Sequence, residues 1–386
     1  MSESRKTAEL EKALSALRLL RDTCSAAINA LNQPLSSTQT SLLATPPTPA
    51  VLHKDYQTLL TLIYTSTTKL TLVLRPSAPA PKAALGPISD LGAAITSIAT
   101  CATLFDLHGS TLSSYARRSA REICEAVISL AGTFVEDSGE EYLVRTGTVH
   151  DLVEQARREL PADNLAAVKM RWKEDRGMLE DSSSDINAMV EDAADEGDGS
   201  LDDNFDDEFD DEFDELGFGS TKKMSEVELE RVKKVQPLVR FGTLLHKRVV
   251  PDVLSRVSMS QPTSDALIAA LDALPARSHA VVLAMEELVA ALYAPQKPTT
   301  LRSAVAAFAD AMTQMHASAL AEPLLPSDSE ITNQMGALSL NSGAEAKGGG
   351  EKAKDPRKWF DACLAQIEKS AKAIDEMLAP DAALAT

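Results

Sequence analysis

Phe205-Asp-Asp-Glu-Phe209-Asp-Asp-Glu-Phe213-Asp-Glu-Leu216 is the stretch from which the rest of the chain is read. It is the centre of a run from Glu191 to Glu215 that holds fifteen Asp or Glu residues and no Lys or Arg. So many like charges with so few apolar groups cannot offset the ordering entropy, and the run is expected to be disordered when free. It divides 386 residues into two halves, each patterned as helices and each long enough for its own core. The expected organisation is an N-terminal bundle over 1–190, an acidic linker over 191–221 and a C-terminal bundle over 222–380.

Composition narrows the class further. Of the net charge of −19, −15 lies in the acid run, so the acidity is local. That run repels a nucleic-acid duplex, and no Lys/Arg stripe compensates, which excludes direct nucleic-acid binding and favours basic protein surfaces as partners. Aromatic residues make up only 4% while Ala and Leu abound, as in helix bundles. Cys24, Cys101, Cys124 and Cys363 form no C-x-x-C pair and are expected to be reduced and buried. The N-terminus carries no signal-peptide pattern. The apolar stretch Leu91 to Phe105 is too short to span a bilayer. A soluble protein of cytoplasm and nucleus is expected.

Outward from the run, apolar residues recur at helical spacing. On the N-terminal side, Leu10 to Leu31 forms a first helix ended by Pro34, and Leu52 to Leu74 a second. Pro76, Pro79, Pro81 and Pro87 form a connector. Ile88 to Phe105 stops near Gly109, and Leu112 to Phe134 follows. A fifth helix starts near Thr148, with Asp151 completing a capping box, and ends at Leu160 before Pro161. Asn164 caps a sixth, which carries Leu165, Val168, Trp172 and Leu179 and frays into the run.

On the C-terminal side, Ser225 caps a long helix in which Pro237 and Pro251 predict kinks or a break. Helices then follow over Ser264 to Leu274, Ala276 to Tyr293 and Thr299 to Ala321. A Pro-, Ser- and Gly-rich loop covers 322–355. Pro356 opens the last helix, in which Trp359, Cys363, Ile367 and Ile374 share a face expected to seal the second bundle.

No signature of catalysis appears. There is no phosphate-binding glycine loop, zinc-protease motif or nucleophile elbow, and the six histidines share no metal spacing. The carboxylates of Asp195 to Asp206 lack the order of a calcium loop. No enzyme activity, cofactor or metal is therefore expected. The candidate sites are contacts. Phe205, Phe209, Phe213 and Leu216 stand at offsets 0, 4, 8 and 11, within roughly an 80° arc of a helix. A groove could induce that helix; alternatively, the run is a solvated tether. Lys222 to Arg248 holds eight Lys or Arg against three Glu. It is either an ordinary charged face or a basic surface on which the run rests. Ser182 and Ser200 each have an acid three residues on and are candidate phosphorylation sites. Ile331, Met335, Leu338 and Leu340 have the spacing of a nuclear export segment. The seven-residue interval of Leu10, Leu17, Cys24 and Leu31 suits a bundle helix better than a zipper.

Three ordered stretches resemble the cyclin-D-interacting protein family. They are Leu160-Pro-Ala-Asp-Asn-Leu-Ala-Ala-Val168, the passage from the acid run through Glu215-Leu-Gly-Phe-Gly219 to Ser225-Glu-Val-Glu-Leu229, and Glu287-Leu-Val-Ala-Ala-Leu-Tyr-Ala-Pro-Gln296. The resemblance implies an all-α fold of two antiparallel helical bundles, akin to vinculin or α-catenin repeats. It also implies a non-enzymatic regulator of cell-cycle progression and transcription. Animal members of the family bind D-type cyclins and helix-loop-helix factors and occur in nucleus and cytoplasm. A cytoskeletal or membrane-adjacent adaptor is the alternative that such an architecture allows.

Overall fold

The computed structural model describes residues 2–35, 45–136, 140–195, 224–259, 263–325 and 356–379, and every regular element among them is helical. The chain falls into two compact units, Met1–Val168 and Lys169–Thr386.

The first unit contains α1 (Ser2–Leu31), α2 (Pro49–Val73), α3 (Pro81–Leu104), α4 (Ser110–Glu136) and α5 (Glu141–Glu159), and the start of α6 (Asn164–Asp195). Helix α1 packs on α3 and α4, and α2 packs on α3 and α5. Leu17, Cys24 and Leu31 of α1 are buried, whereas Leu10 is 46% exposed, so the seven-residue interval serves a bundle core. Tyr56 is fully buried and donates its hydroxyl to the carbonyl of Ala116 at 3.0 Å, which satisfies the one polar atom that its burial would orphan.

One charged knot closes the end of this unit. The Asp106 carboxylate accepts from the Leu35 N–H at 2.9 Å, from the Ser113 hydroxyl and from the Arg117 guanidinium at 2.5 Å. Arg117 also donates to the carbonyls of Leu31 and Gln33, which the end of α1 leaves unpaired. Burial of Asp106 opposes its ionisation. Its hydrogen bonds with Arg117, Ser113 and Leu35 outweigh that and hold its pKa below the usual value. Beside the knot, Gly109 has φ 125°, and a Cβ there would lie 2.2 Å from the Asn164 side chain. The Asn164 Oδ1 atom accepts from the Leu112 N–H at 3.0 Å.

The second unit contains α6 from Lys169 onward, α7 (Glu226–Val249), α8 (Asp265–Leu292), α9 (Pro298–Ala319) and α10 (Pro356–Leu378). Helix α10 packs on α7 and α9, and α8 packs on α9. Ser225 and Glu228 form the reciprocal capping box at the start of α7. Glu228 also accepts from the Gln296 N–H at 2.7 Å, and Gln296 Nε2 donates to the Glu228 and Leu292 carbonyls.

Several expectations change. The compact units divide at Val168, near the start of α6, where Trp172 is buried against His246 of α7. Helix α5 starts at Glu141, and the Thr148 hydroxyl donates back to the Val144 carbonyl instead of capping. Asp163, not Asn164, caps α6, through the Ala166 N–H at 2.7 Å. Pro87, Pro237 and Pro275 all lie inside continuous helices, so α3 reaches back to Pro81 and α8 joins the two segments expected there. Pro251 instead sits in a π-helical turn, Val250–Leu254. In α10, Phe360 is the buried ring. Trp359 lies half-buried outside it, edge-on to Phe360 at 5.2 Å and beneath the Arg248 guanidinium at 4.9 Å. Helical spacing cannot separate adjacent aromatic positions at the edge of an apolar face; packing on α7 and α9 does.

Pro81–His108 and Asp265–Leu292 are long and apolar enough to cross a membrane, with mean hydropathy 1.4. Leu91, Ile95 and Ile98 in the first and Leu271, Val281 and Leu288 in the second are buried against neighbouring helices.

Candidate functional site

In the second unit, α6 and α7 run antiparallel. Trp172 meets His246 near one end, and Asn187 accepts from Gln236 at 3.1 Å near the other. A buried polar pair fixes them. The Trp172 ring stacks on His246 with centroids 4.4 Å apart, and its Nε1 donates to the His246 carbonyl at 3.0 Å. His246 Nε2 lies 2.8 Å from the Ser278 hydroxyl of α8. Burial, reinforced by the Arg176 charge, drives the His246 pKa down to about 3, so the imidazole is neutral at physiological pH. Asp175, also buried, lies 3.3 Å from Arg171. These groups lock three helices together.

Toward the Asn187 end, the two helices wall a groove of about 670 Å³. Ser183, Ile186 and Asn187 line one side, and Pro237, Phe241 and Leu244 form the apolar part of the other. The last three stand at offsets 0, 4 and 7, within about a 60° arc of α7. Pro237 is exposed, Phe241 is half-buried and Leu244 is 41% exposed, while Val239 and Ile186 form a buried floor. Lys233, Lys234, Arg240 and Lys247 are all exposed around this stripe. Lys233 pairs only loosely with Glu230, at 3.5 Å, and Lys247 with Glu180, at 3.8 Å. The face is apolar along its centre and basic at its margins. Such a face suits an amphipathic, acidic protein segment.

Chemistry is less well served. Burial raises the thiol pKa of Cys101 and Cys124 to about 12 and of Cys363 to about 11, and pushes Cys24 higher still, so none is a thiolate at neutral pH. Among the described residues no group of three His, Cys, Asp or Glu side chains is placed to hold a metal.

Of the candidate contact residues, Phe205, Phe209, Phe213 and Leu216 lie outside the described residues, as do Ile331, Met335, Leu338, Leu340 and Ser200. Ser182 lies within α6, half-buried, one residue before the groove-lining Ser183. It is part of a regular helix rather than of a frayed end. The basic segment Lys222 to Arg248 is largely α7 itself. Its charges are legible in the sequence but the groove is not, because Ile186 and Asn187 come from another helix. The one available signal was the offset of Pro237, Phe241 and Leu244, which the core-facing valines obscured.

Two family models match the chain. The N-terminal domain of Grap2 and cyclin-D-interacting proteins covers residues 55–192, and the C-terminal domain covers 205–317. The chain belongs to the Grap2 and cyclin-D-interacting protein family. No curated protein matches it by sequence.

The stretches that carry the family resemblance have structural work in this member. Asp163 and Asn164 join α4 to the start of α6, and Glu228 and Gln296 tie the start of α7 to the end of α8.

Proposed function

We propose that this chain is a non-enzymatic adaptor that regulates cell-cycle progression or transcription by holding protein partners, in nucleus and cytoplasm. Membership of a family named for cyclin-D interaction supports protein partners of the cyclin class. Helix-loop-helix regulators are the second class, by the resemblance. The observation that carries the proposal is the α6–α7 groove: an exposed apolar stripe margined by lysines and an arginine, on helices otherwise fixed by internal contacts. A partner that lays an acidic amphipathic helix along α7 would bury Phe241 and Leu244, and its charges would meet Lys234 and Arg240.

The test is calorimetric titration of the purified full chain with a D-type cyclin and, separately, with a helix-loop-helix protein. Binding of at least one is expected, weakened tenfold or more by Leu244→Glu. Failure of both to bind at a concentration of 100 μM would overturn the proposal. Binding that Leu244→Glu leaves unchanged would move the contact surface elsewhere.

A further inference from the structure

We infer that the acidic phenylalanine segment of this same chain, Phe205 to Leu216, is the resident ligand of the α6–α7 groove, which an external partner must displace. The inference rests on the reading of that groove as a docking surface, and four observations assign this occupant.

The first is connectivity. Residues 196–225 join the end of α6 to the start of α7, and these two helices wall the groove. Because the helices are antiparallel, both ends of the segment are anchored at the end where the groove lies. Asp195 stands about 12 Å along α6 from Asn187, and Glu226 about 15 Å along α7 from Gln236, at 1.5 Å per residue. Ten extended residues reach roughly 33 Å, so Phe209 and Phe213 come within range of Phe241 and Leu244 from either anchor. A connection this long between two packed helices exceeds the usual 2–8 residues several-fold and leaves ample slack to fold back onto them.

The second is shape. Phe205, Phe209, Phe213 and Leu216 form a single apolar stripe when helical, and the groove offers the matching stripe of Pro237, Phe241 and Leu244 beside Ile186. The volume of about 670 Å³ admits more than one ring. The third is charge. The acids between Phe205 and Leu216 are opposite in sign to Lys233, Lys234, Arg240 and Lys247, which margin the groove, and a helix seated by its phenylalanines would bring the acids that flank its stripe to those cations. The fourth is the family match. The C-terminal family domain begins at residue 205, so the phenylalanine segment lies inside it, whereas 193–204 falls between the two matches.

Tethering makes even a weak contact persistent. A short flexible link holds its ligand at an effective concentration on the order of millimolar. A segment with an intrinsic Kd near 0.1 mM would thus occupy the groove about nine-tenths of the time, and a partner would bind about tenfold more weakly than to the empty groove.

The test uses the full chain with a photoreactive benzoyl-phenylalanine in place of Phe209. Illumination should give cross-links within one chain, on peptides containing Ser183–Asn187 and Gln236–Leu244. Their yield should not depend on protein concentration, and it should fall at least fivefold in Arg240→Glu/Leu244→Glu. Thermal melting confirms that this variant is folded, since both positions are exposed. Cross-links scattered over the chain, or none, would overturn the inference. So would cross-links between isotopically distinct copies, which would make the groove an intermolecular site. No external partner enters this measurement. If neither cyclin nor helix-loop-helix protein binds, an intact cross-link pattern upholds the intramolecular contact and only the proposed function falls. If a partner binds through Leu244 while the cross-links are absent, the reverse holds. Where both stand, Phe205→Ala/Phe209→Ala/Phe213→Ala should raise partner affinity about tenfold.

Discussion

The Asp106–Arg117 knot of the first unit and the α7 face of the second use similar residues to opposite ends. In the knot, every nitrogen of one arginine and both oxygens of one aspartate are hydrogen-bonded by groups from three chain segments, and the result is closed to solvent on most sides. On α7, Lys233 and Lys247 sit at the margins of an apolar stripe and meet exposed carboxylates at 3.5 and 3.8 Å. A charge surrounded by its own chain's acceptors holds a fold together. A charge that frames uncovered apolar surface is available to something else.

The difference can be broken by substitution, and the largest effects belong to buried groups. Phe360→Ala should destabilise the second unit by about 3–5 kcal/mol, because it empties a fully buried ring site beneath α7. Trp359→Ala, one residue earlier but half-buried, should cost about 1 kcal/mol, mostly through the lost stacking with Arg248. Urea melts of the two variants would separate them, and equal losses would show that α10 is rotated from the register described.

Arg117→Met comes next. It leaves Asp106 without its main partner and strips the end of α1 of two donors, an expected loss of about 2–3 kcal/mol after discounting for partial exposure. The Asp106 pKa should rise as well. In the parent, the depressed pKa contributes stability that is present above the ordinary carboxylate pKa and lost as pH falls through the lower folded value. The variant should therefore show a shallower acid dependence in pH-dependent melts. A loss below 0.5 kcal/mol would make the knot no stronger than a surface pair.

His246 gives a pH effect of comparable kind in the second unit. Its folded pKa of about 3 lies below the ordinary 6.5, so the unfolded chain takes up a proton first as pH falls. Stability from this group is present above 6.5 and is lost toward pH 3, at up to about 1.4 kcal/mol per pH unit. His246→Gln should be less stable at neutral pH yet lose less between pH 6.5 and 4.5. Parallel stability curves for parent and variant would refute a buried neutral imidazole.

The smallest stability effect is expected on the α7 face. Leu244→Ser should change stability by less than about 0.5 kcal/mol, because the side chain is 41% exposed. A loss above 2 kcal/mol would show that Leu244 belongs to the core, and the contrast with the knot would collapse.

Much of the fold was legible in the sequence. Leu17, Cys24 and Leu31, or Val232, Val235 and Val239, announce their helices because a 3.6-residue period leaves one face apolar, and that periodicity is local. Ser225 with Glu228 announces a helix start for the same reason, since a cap is satisfied within four residues. Prolines were less decisive. Pro87, Pro237 and Pro275 remain inside helices because packing on both sides of each outweighs one missing N–H. Trp359 and Phe360 were indistinguishable by period, and the division of compact units at Val168 depends on a ring stacked across 74 residues of sequence.

Sequence alone thus determined that this chain is helical, that an acid run lies between its two helical parts, and which family it joins, since all three are written in composition and short-range spacing. Only the tertiary structure decided which surface is left to bind. The groove exists because α6 and α7 pack antiparallel, and of a site formed by Ile186 against Phe241 and Leu244 the sequence holds only the helical spacing of Pro237, Phe241 and Leu244, not the pairing with α6. Burial is a property of neighbours, and neighbours are set by packing.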